Sequence, residues 1–451
     1  MLSVKKEEQN KEIWRFLSDD VACGDGIMRE FEGKKLLLLG GVKTACAIVQ
    51  KAREMGAYVA VLDYNTDSPA KLIADEAVLM DATDVKSIVQ WCRDNNIDGV
   101  TTGFVDILMP VVYEVCKELG LPYYATPKML SMSTNKVDFK ETCEKFGVPV
   151  PKTYVIGSSI PEELYSSIQY PVFVKPLDAS GSRGAGACHD RQELDAQFAD
   201  AISYSPTATA VVEDCISGRE FLLDYVGVNG EFRLLSMFDR YMSPGRGSAI
   251  NYSNVCLCPP KQIDQYYKEA NPKILKMFRE LGFTDGLIFL QGHTDGTHIT
   301  FYEMGCRLGG SFFELEQAVL GLNPVEMTVR YALTGKMMDN IEQVSPRSAD
   351  FPRVAMVANY LLEGEDETVA AIEGIDDVKA LDSYVALIQQ RDVGCHFKKD
   401  RTVDKPILSF FMVADDKDQI RETLAFMNEH LKVTNADGQS LLSAKYDPND
   451  L

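Results

Sequence analysis

From Lys34 onward, short apolar runs alternate with stretches in which apolar residues recur every three or four positions. The run Lys35-Leu-Leu-Leu-Leu-Gly-Gly41 predicts a buried strand delivered into a glycine turn, and Thr44–Met55 predicts an amphipathic helix. Tyr58–Asp63 reads as a second strand ending in an acid. A strand over Ala77–Met80, a helix over Val85–Asn95, a strand over Gly99–Thr102 and a helix over Ile107–Leu119 follow. This alternation predicts a parallel sheet with helices on both faces. A helix over Lys136–Phe146 stops at Gly147, after which residues 152–335 take a mixed α+β rhythm. Beyond Gly335 the pattern predicts strands over Arg353–Leu362, Tyr384–Gln389 and Leu408–Val413 and a closing helix over Asp418–Leu431. Residues 1–33 are polar, with a helix expected around Gln9–Leu17.

The first sheet has two parts of a dinucleotide-binding fingerprint, the Gly40-Gly41 turn and the acid Asp63. Val-Lys-Thr-Ala-Cys-Ala follows Gly41, so the G-x-G-x-x-G spacing is missing. A Rossmann-like substrate domain, its loops facing a ligand at the strand ends, is the preferred expectation.

Composition narrows the classes of function. At 451 residues the chain is long enough for two to four domains with real cores. A net charge of −21 argues against nucleic acid, whose phosphates require a positive footprint. It does not exclude a nucleotide, whose site needs only a few local cations. No apolar run reaches eighteen residues, no basic amphipathic stretch suggests a membrane surface, and the polar start lacks a signal-peptide pattern. Eleven cysteines without regular spacing suit buried thiols, and a cytoplasmic setting is expected. Cys256-Leu-Cys258 has the wrong spacing for a zinc knuckle, and five histidines form no pair at metal spacing.

The chemistry-bearing residues fall in one order. Lys175 ends the strand Tyr170-Pro-Val-Phe-Val-Lys175-Pro, where its ammonium could reach phosphate oxygens. The loop Ser180-Gly181-Ser182-Arg183-Gly184 then offers successive backbone N–H groups able to fold over phosphates, with Arg183 adding charge. A strand over Thr209–Glu213 runs into a linker ending at Glu220, an arrangement that can face an adenine edge and accept hydrogen bonds from ribose hydroxyls. Gln291 and Glu303 flank a hairpin whose tip is Asp295-Gly296, which brings two hard oxygen ligands suited to magnesium side by side. Arg307 could stabilise charge on a transferring phosphoryl group. Taken singly, each has an ordinary structural reading as a strand-end lysine, a hairpin turn, surface acids or a loop arginine.

Together the residues resemble the ATP-grasp superfamily, over roughly residues 34–335, and the C-terminal part looks like the extra domain of its amino-acid ligases. The resemblance implies a Rossmann-like domain over residues 34–128, a two-subdomain ATP-grasp domain over 129–335 with a lid near 170–215, and a small α+β domain over 336–451. It matches Lys136 and Lys175 to the phosphate-contacting lysines and the 178–186 loop to the flexible cover. Glu213 and Ile216 match the adenine hinge, Glu220 the ribose acid, Gln291 and Glu303 two metal-ligand positions, and Arg307 the catalytic arginine. One position departs: where many members carry a metal-ligating asparagine, this chain has Gly305, with Glu314 or Glu316 as substitute oxygens nearby.

The resemblance implies an ATP- and magnesium-dependent ligase that activates a carboxylate as an acyl phosphate and joins it to an amine. Lysines and magnesium would neutralise the phosphates while the closed loop keeps water off the acyl phosphate. Arg246, in Ser243-Pro-Gly-Arg-Gly247, and the backbone at Gly309 and Gly310 are candidates for substrate contact. The expected partners are a small-molecule carboxylate and an amine, and several relatives are dimers, so a homodimer is expected too. Two alternatives stand beside this. A carboxylase or carbamoyl-phosphate-forming enzyme would lack its biotin motif or second module, and a non-catalytic ATP-binding protein would rest on Gly305.

Overall fold

The structure is a computed structural model that describes residues 29–178, 183–242, 253–310, 312–364, 366–398 and 406–451. The helix expected around Gln9–Leu17 lies outside the described residues.

Four parallel strands, β1 (Lys35–Leu39), β2 (Tyr58–Asp63), β3 (Glu76–Leu79) and β4 (Gly99–Thr101), form a sheet in the order β3-β2-β1-β4. Its central strand is apolar on both sides because both faces are covered. Leu36 and Leu38 pack with Ile48, Val49 and Ala52 of the helix Cys46–Glu54, whereas Leu37 and Leu39 pack with Ile88, Val112 and Val115 on the opposite face. The first face is completed from far along the chain, by Val325, Val329 and Ala332 of the helix Pro324–Thr334. Asp63 accepts hydrogen bonds from the backbone N–H of Gly41 (2.7 Å) and of Asn65 (2.8 Å). The acid of the incomplete dinucleotide fingerprint is thus engaged in tying the β1 and β2 turns together.

A second sheet is antiparallel, ordered β5-β8-β6-β7, with β5 Thr153–Gly157, β6 Val172–Pro176, β7 Gly186–Cys188 and β8 Ala210–Asp214. The helix Arg191–Tyr204 covers it through Leu194, Phe198 and Ala201.

The third sheet has eight antiparallel strands. Its first six in spatial order are β13 (Ile299–Gly305), β12 (Gly286–Thr294), β9 (Arg219–Val228), β10 (Glu231–Tyr241), β11 (Val255–Cys258) and β14 (Val354–Leu361). Strands Pro406–Ala414 and Tyr384–Gln389 complete it, so the C-terminal strands extend this sheet rather than building one of their own. On one face Phe221, Leu223, Tyr225, Ile288 and Leu290 enter a core closed by the helices Ile263–Glu269 and Asn271–Glu280. Side chains alternate along a strand, so the other face of β9 and β12 carries Glu220, Asp224 and Gln291. Cys256 and Cys258 lie in β11, buried, and the ten described cysteines are all free thiols. No described helix is long and apolar enough to cross a membrane.

Candidate active site

Lys175 sits at the end of β6, nearly enclosed, and its Nζ lies 2.6 Å from Glu213 Oε1. Glu213, on the neighbouring strand β8, is paired through Oε2 with Lys140. Lys140 is held by its Nζ donating to Thr153 Oγ1 at 2.9 Å. Burial alone would raise the Glu213 carboxyl, but Lys175 and Lys140 outweigh it and hold it below its ordinary value. The hinge glutamate expected from sequence therefore acts through its side chain as a buried anchor for two lysines. Lys136, one helical turn before Lys140, donates to the Leu177 carbonyl at 3.3 Å. Burial, with Lys175 adding repulsion, pushes its ammonium down. Two ammonium groups thus converge at the root of the 178–186 loop.

Gln291 and Glu303 are register partners across the β12–β13 hairpin, with a bulge immediately after Gln291. Their side chains share a face, and neither makes a side-chain hydrogen bond or ion pair among the described residues. Glu303 is exposed to solvent and has Lys136, Lys175, Arg307 and Asp106 as its charged neighbours. Burial raises it above its ordinary value; Lys136 opposes the rise and Asp106 adds to it. Two oxygen donors without partners beside two lysines suit a hard divalent cation that also touches phosphate. Among the described residues no three His, Cys, Asp or Glu side chains form a metal cluster.

The departure at Gly305 has a steric basis. Gly305 pairs with Phe289 across the hairpin, and a Cβ at 305 would lie 2.0 Å from the Phe289 ring. The ring fills the space an asparagine would need. Neither proposed substitute replaces that ligand. Glu316 is 2% exposed and accepts a 2.5 Å hydrogen bond from Ser236, while Glu314 faces Lys51 and Glu54. The Phe289 ring also supports Arg307, whose guanidinium lies 4.8 Å from the ring centroid. Arg307 is bound by Asp106, with Nε donating to Oδ1 at 2.6 Å and a terminal nitrogen to Oδ2 at 2.8 Å, and it donates further to its neighbour's carbonyl, Leu308, at 2.6 Å.

Ser180, Gly181, Ser182 and Arg246 lie outside the described residues. Of the cover loop, Arg183 is exposed and the Gly184 carbonyl accepts from Gln197 at 3.1 Å. Asp178 anchors the loop's other end, accepting from Ser205 Oγ (2.5 Å) and Thr207 Oγ1 (2.7 Å). Ile216 lines a cavity of about 280 Å³ beside the β8–β9 linker, together with Cys215, Ser217 and His293. A larger cavity of about 460 Å³ lies elsewhere, between Arg353, Asp382 and Glu422, and touches none of the candidate residues. Glu220 is engaged by Arg240 and the Tyr302 hydroxyl, which meet at its Oε1. Gly309 is buried and Gly310 exposed, just beyond Arg307.

Sequence reasoning missed Lys140, Asp106 and Asp224, together with the packing roles of Phe289 and Glu316. The four-residue spacing of Lys136 and Lys140 is a usable signal for the first. Asp106 touches Arg307 from 201 positions away and leaves no local trace.

A family model described as D-ala D-ala ligase C-terminus matches residues 143–245. A formate-dependent phosphoribosylglycinamide formyltransferase from Sulfurisphaera tokodaii is 24% identical over 339 residues, covering 71% of this chain and 81% of the relative. Among solved structures, an L-amino acid ligase from Bacillus licheniformis superposes with a TM-score of 0.73 at 17% identity, covering 90% of this chain and 99% of its own. A phosphoribosylglycinamide synthetase from Anaerococcus prevotii gives 0.70 at 16%, covering 89% and 99%. At these identities the structural likeness is one of fold.

Proposed function

The chain has the ATP-grasp fold, and we propose that it is an ATP-dependent ligase that activates a small carboxylate as an acyl phosphate and joins it to an amine, releasing ADP and phosphate. The observation that supports this reading is the proximity of Lys136, Lys175, Glu303 and Arg307, with Gln291 across the hairpin from Glu303. The two lysines hold phosphate oxygens, with Glu213 fixing Lys175 in place. Magnesium on Gln291 and Glu303 would supply screening of phosphate charge. Arg307 meets the negative charge that grows on the phosphoryl oxygens and carboxylate in the transition state. The linker at Ile216 borders the base, and the 178–186 loop covers the phosphates and excludes water, so that the amine rather than water takes the acyl group. No side-chain nucleophile is required.

The names of the relatives carry formate in one case, a formate-dependent formyltransferase, and an L-amino acid in the other, an L-amino acid ligase. Formate, amino acids and dipeptides therefore head the substrate pools. The test is phosphate release from Mg·ATP against such pools, followed by mass spectrometry. A product lighter by one water than its two reactants combined supports the ligase. Tight ATP binding with silence in every pool counts against it and favours the second reading, a non-catalytic ATP-binding protein. That reading draws on the Phe289 ring, which fills the place of the family's further metal ligand.

A further inference from the structure

Beneath Arg307 lie two enclosed carboxyl groups that the proposed reaction does not use. Asp224 comes from β9 and pairs in register with Ser236 on one side and Phe289 on the other. Glu316 comes from the helix Phe313–Leu320, with Ser236 Oγ donating to its Oε1 at 2.5 Å. The Asp224 carboxyl lies against the backbone of Gly309, two residues after Arg307, with the Gly309 N–H facing it. The approach is so close that a Cβ at 309 would lie 2.1 Å from Asp224 Oδ1 and 2.4 Å from the Phe289 Cβ. The other oxygen, Oδ2, is buried and meets no donor among the described residues.

We propose that Asp224 is a positioning residue: packed with Glu316 beneath the turn, its carboxyl fixes Gly309 and thereby aims the guanidinium of Arg307. The inference rests on the reading of Arg307 as the group at the phosphoryl end. The geometry explains why the acceptor should carry no charge. The groups facing Asp224 are Glu316 from the helix, Arg307 from the turn, the Ser236 hydroxyl from β10 and the Gly309 N–H; Cys258 of β11 faces Glu316. Two enclosed carboxyls served by one cation cannot both ionise at low cost. A charged Asp224 would also neutralise Arg307 from below and spend the field that should act on the phosphoryl group. Burial and then Glu316 push Asp224 well above the usual carboxylate range, in keeping with the geometry.

The test compares D224N, which keeps an acceptor oxygen without charge, with D224A, which removes it. The first readout is amide hydrogen exchange of residues 307–310 in the full chain, which needs no turnover. Protection should be lost in D224A and restored in D224N. Equal exchange in wild type and both variants overturns the proposal, as does D224N exchanging like D224A. The second readout is steady-state kinetics with the acid and amine found by product screening. D224A should lower kcat by at least about tenfold with the KM for ATP little changed, and D224N should recover most of that loss. Loss of protection with kcat intact overturns the proposal by separating the turn from the rate. If no pool gives turnover in wild type, the ligase reading fails by itself, and the exchange data still decide whether Asp224 holds the turn.

Discussion

Arg307 and Asp106, 201 positions apart, are joined by two parallel hydrogen bonds of 2.6 and 2.8 Å that tie the loop after β4 to the turn after β13. A carboxylate therefore occupies the guanidinium that the proposed reaction assigns to an anionic substrate group. An incoming phosphate or carboxylate must displace it. Asp106 is partly exposed, with 42% of its side chain accessible, so the pair is worth no more than about 1 kcal/mol. D106N should accordingly tighten binding of Mg and a non-hydrolysable ATP analogue by about two- to fivefold in calorimetry. Unchanged or weaker binding would show that Asp106 does not compete for Arg307.

Glu213 is the charge on which two buried lysines depend. Replacing it by glutamine leaves Lys175 and Lys140 enclosed without a counter-charge, and chemical denaturation at pH 7 should show a loss of about 3–5 kcal/mol. The pH dependence has a definite sign. The folded carboxyl is held below its ordinary 4.5, so its stabilisation is fully present above pH 4.5 and is lost as the pH falls through the depressed folded value. E213Q should lack this share of the acid loss, so that its deficit against wild type narrows below pH 4.5. A constant deficit from pH 7 to 3.5 would contradict the assignment.

Much of this was legible in the chain because local patterns wrote it. Strand β2, the helix Val85–Asn95 and the strand Tyr384–Gln389 fall on the residues their periodicity marked. The Gln291–Glu303 pairing followed from a hairpin whose tip, Asp295-Gly296, fixes the register. What the pattern did not show arises where distant segments meet. The eight-stranded sheet recruits strands from beyond residue 350, a pairing that no periodicity encodes. The sequence marked Glu213 for an adenine hinge and Glu220 for a ribose. It did not show that their side chains are engaged by Lys175, Lys140, Arg240 and Tyr302, contacts set by register across strands rather than by sequence spacing.

The glycine at 305 was visible as a departure, and the Phe289 ring explains it. Introducing asparagine there forces the ring aside, and G305N should cost about 1–3 kcal/mol in denaturant unfolding. Removing the ring makes room. The double variant F289A/G305N should therefore be less destabilised than the sum of the single variants by at least about 0.5 kcal/mol. Additive losses would mean that the ring and position 305 do not contend for the same space.

Arg307 carries the clearest demand on the proposed chemistry. Its donors converge with the planar geometry of a guanidinium, two of them on a single carboxylate and a third on the Leu308 carbonyl, over the face of Phe289. A lysine has a compact charge and cannot reproduce that fork. R307A should lower kcat by about a thousandfold while leaving ATP affinity within about threefold, because the residue acts on charge that appears in the transition state. R307K should recover little of that loss. If R307K restored most of the rate, a point charge would suffice, and the Phe289 and Asp106 contacts would be packing rather than aim. If R307A turned over like wild type, the phosphoryl end of the cleft would have to be sought nearer Lys136 and Lys175.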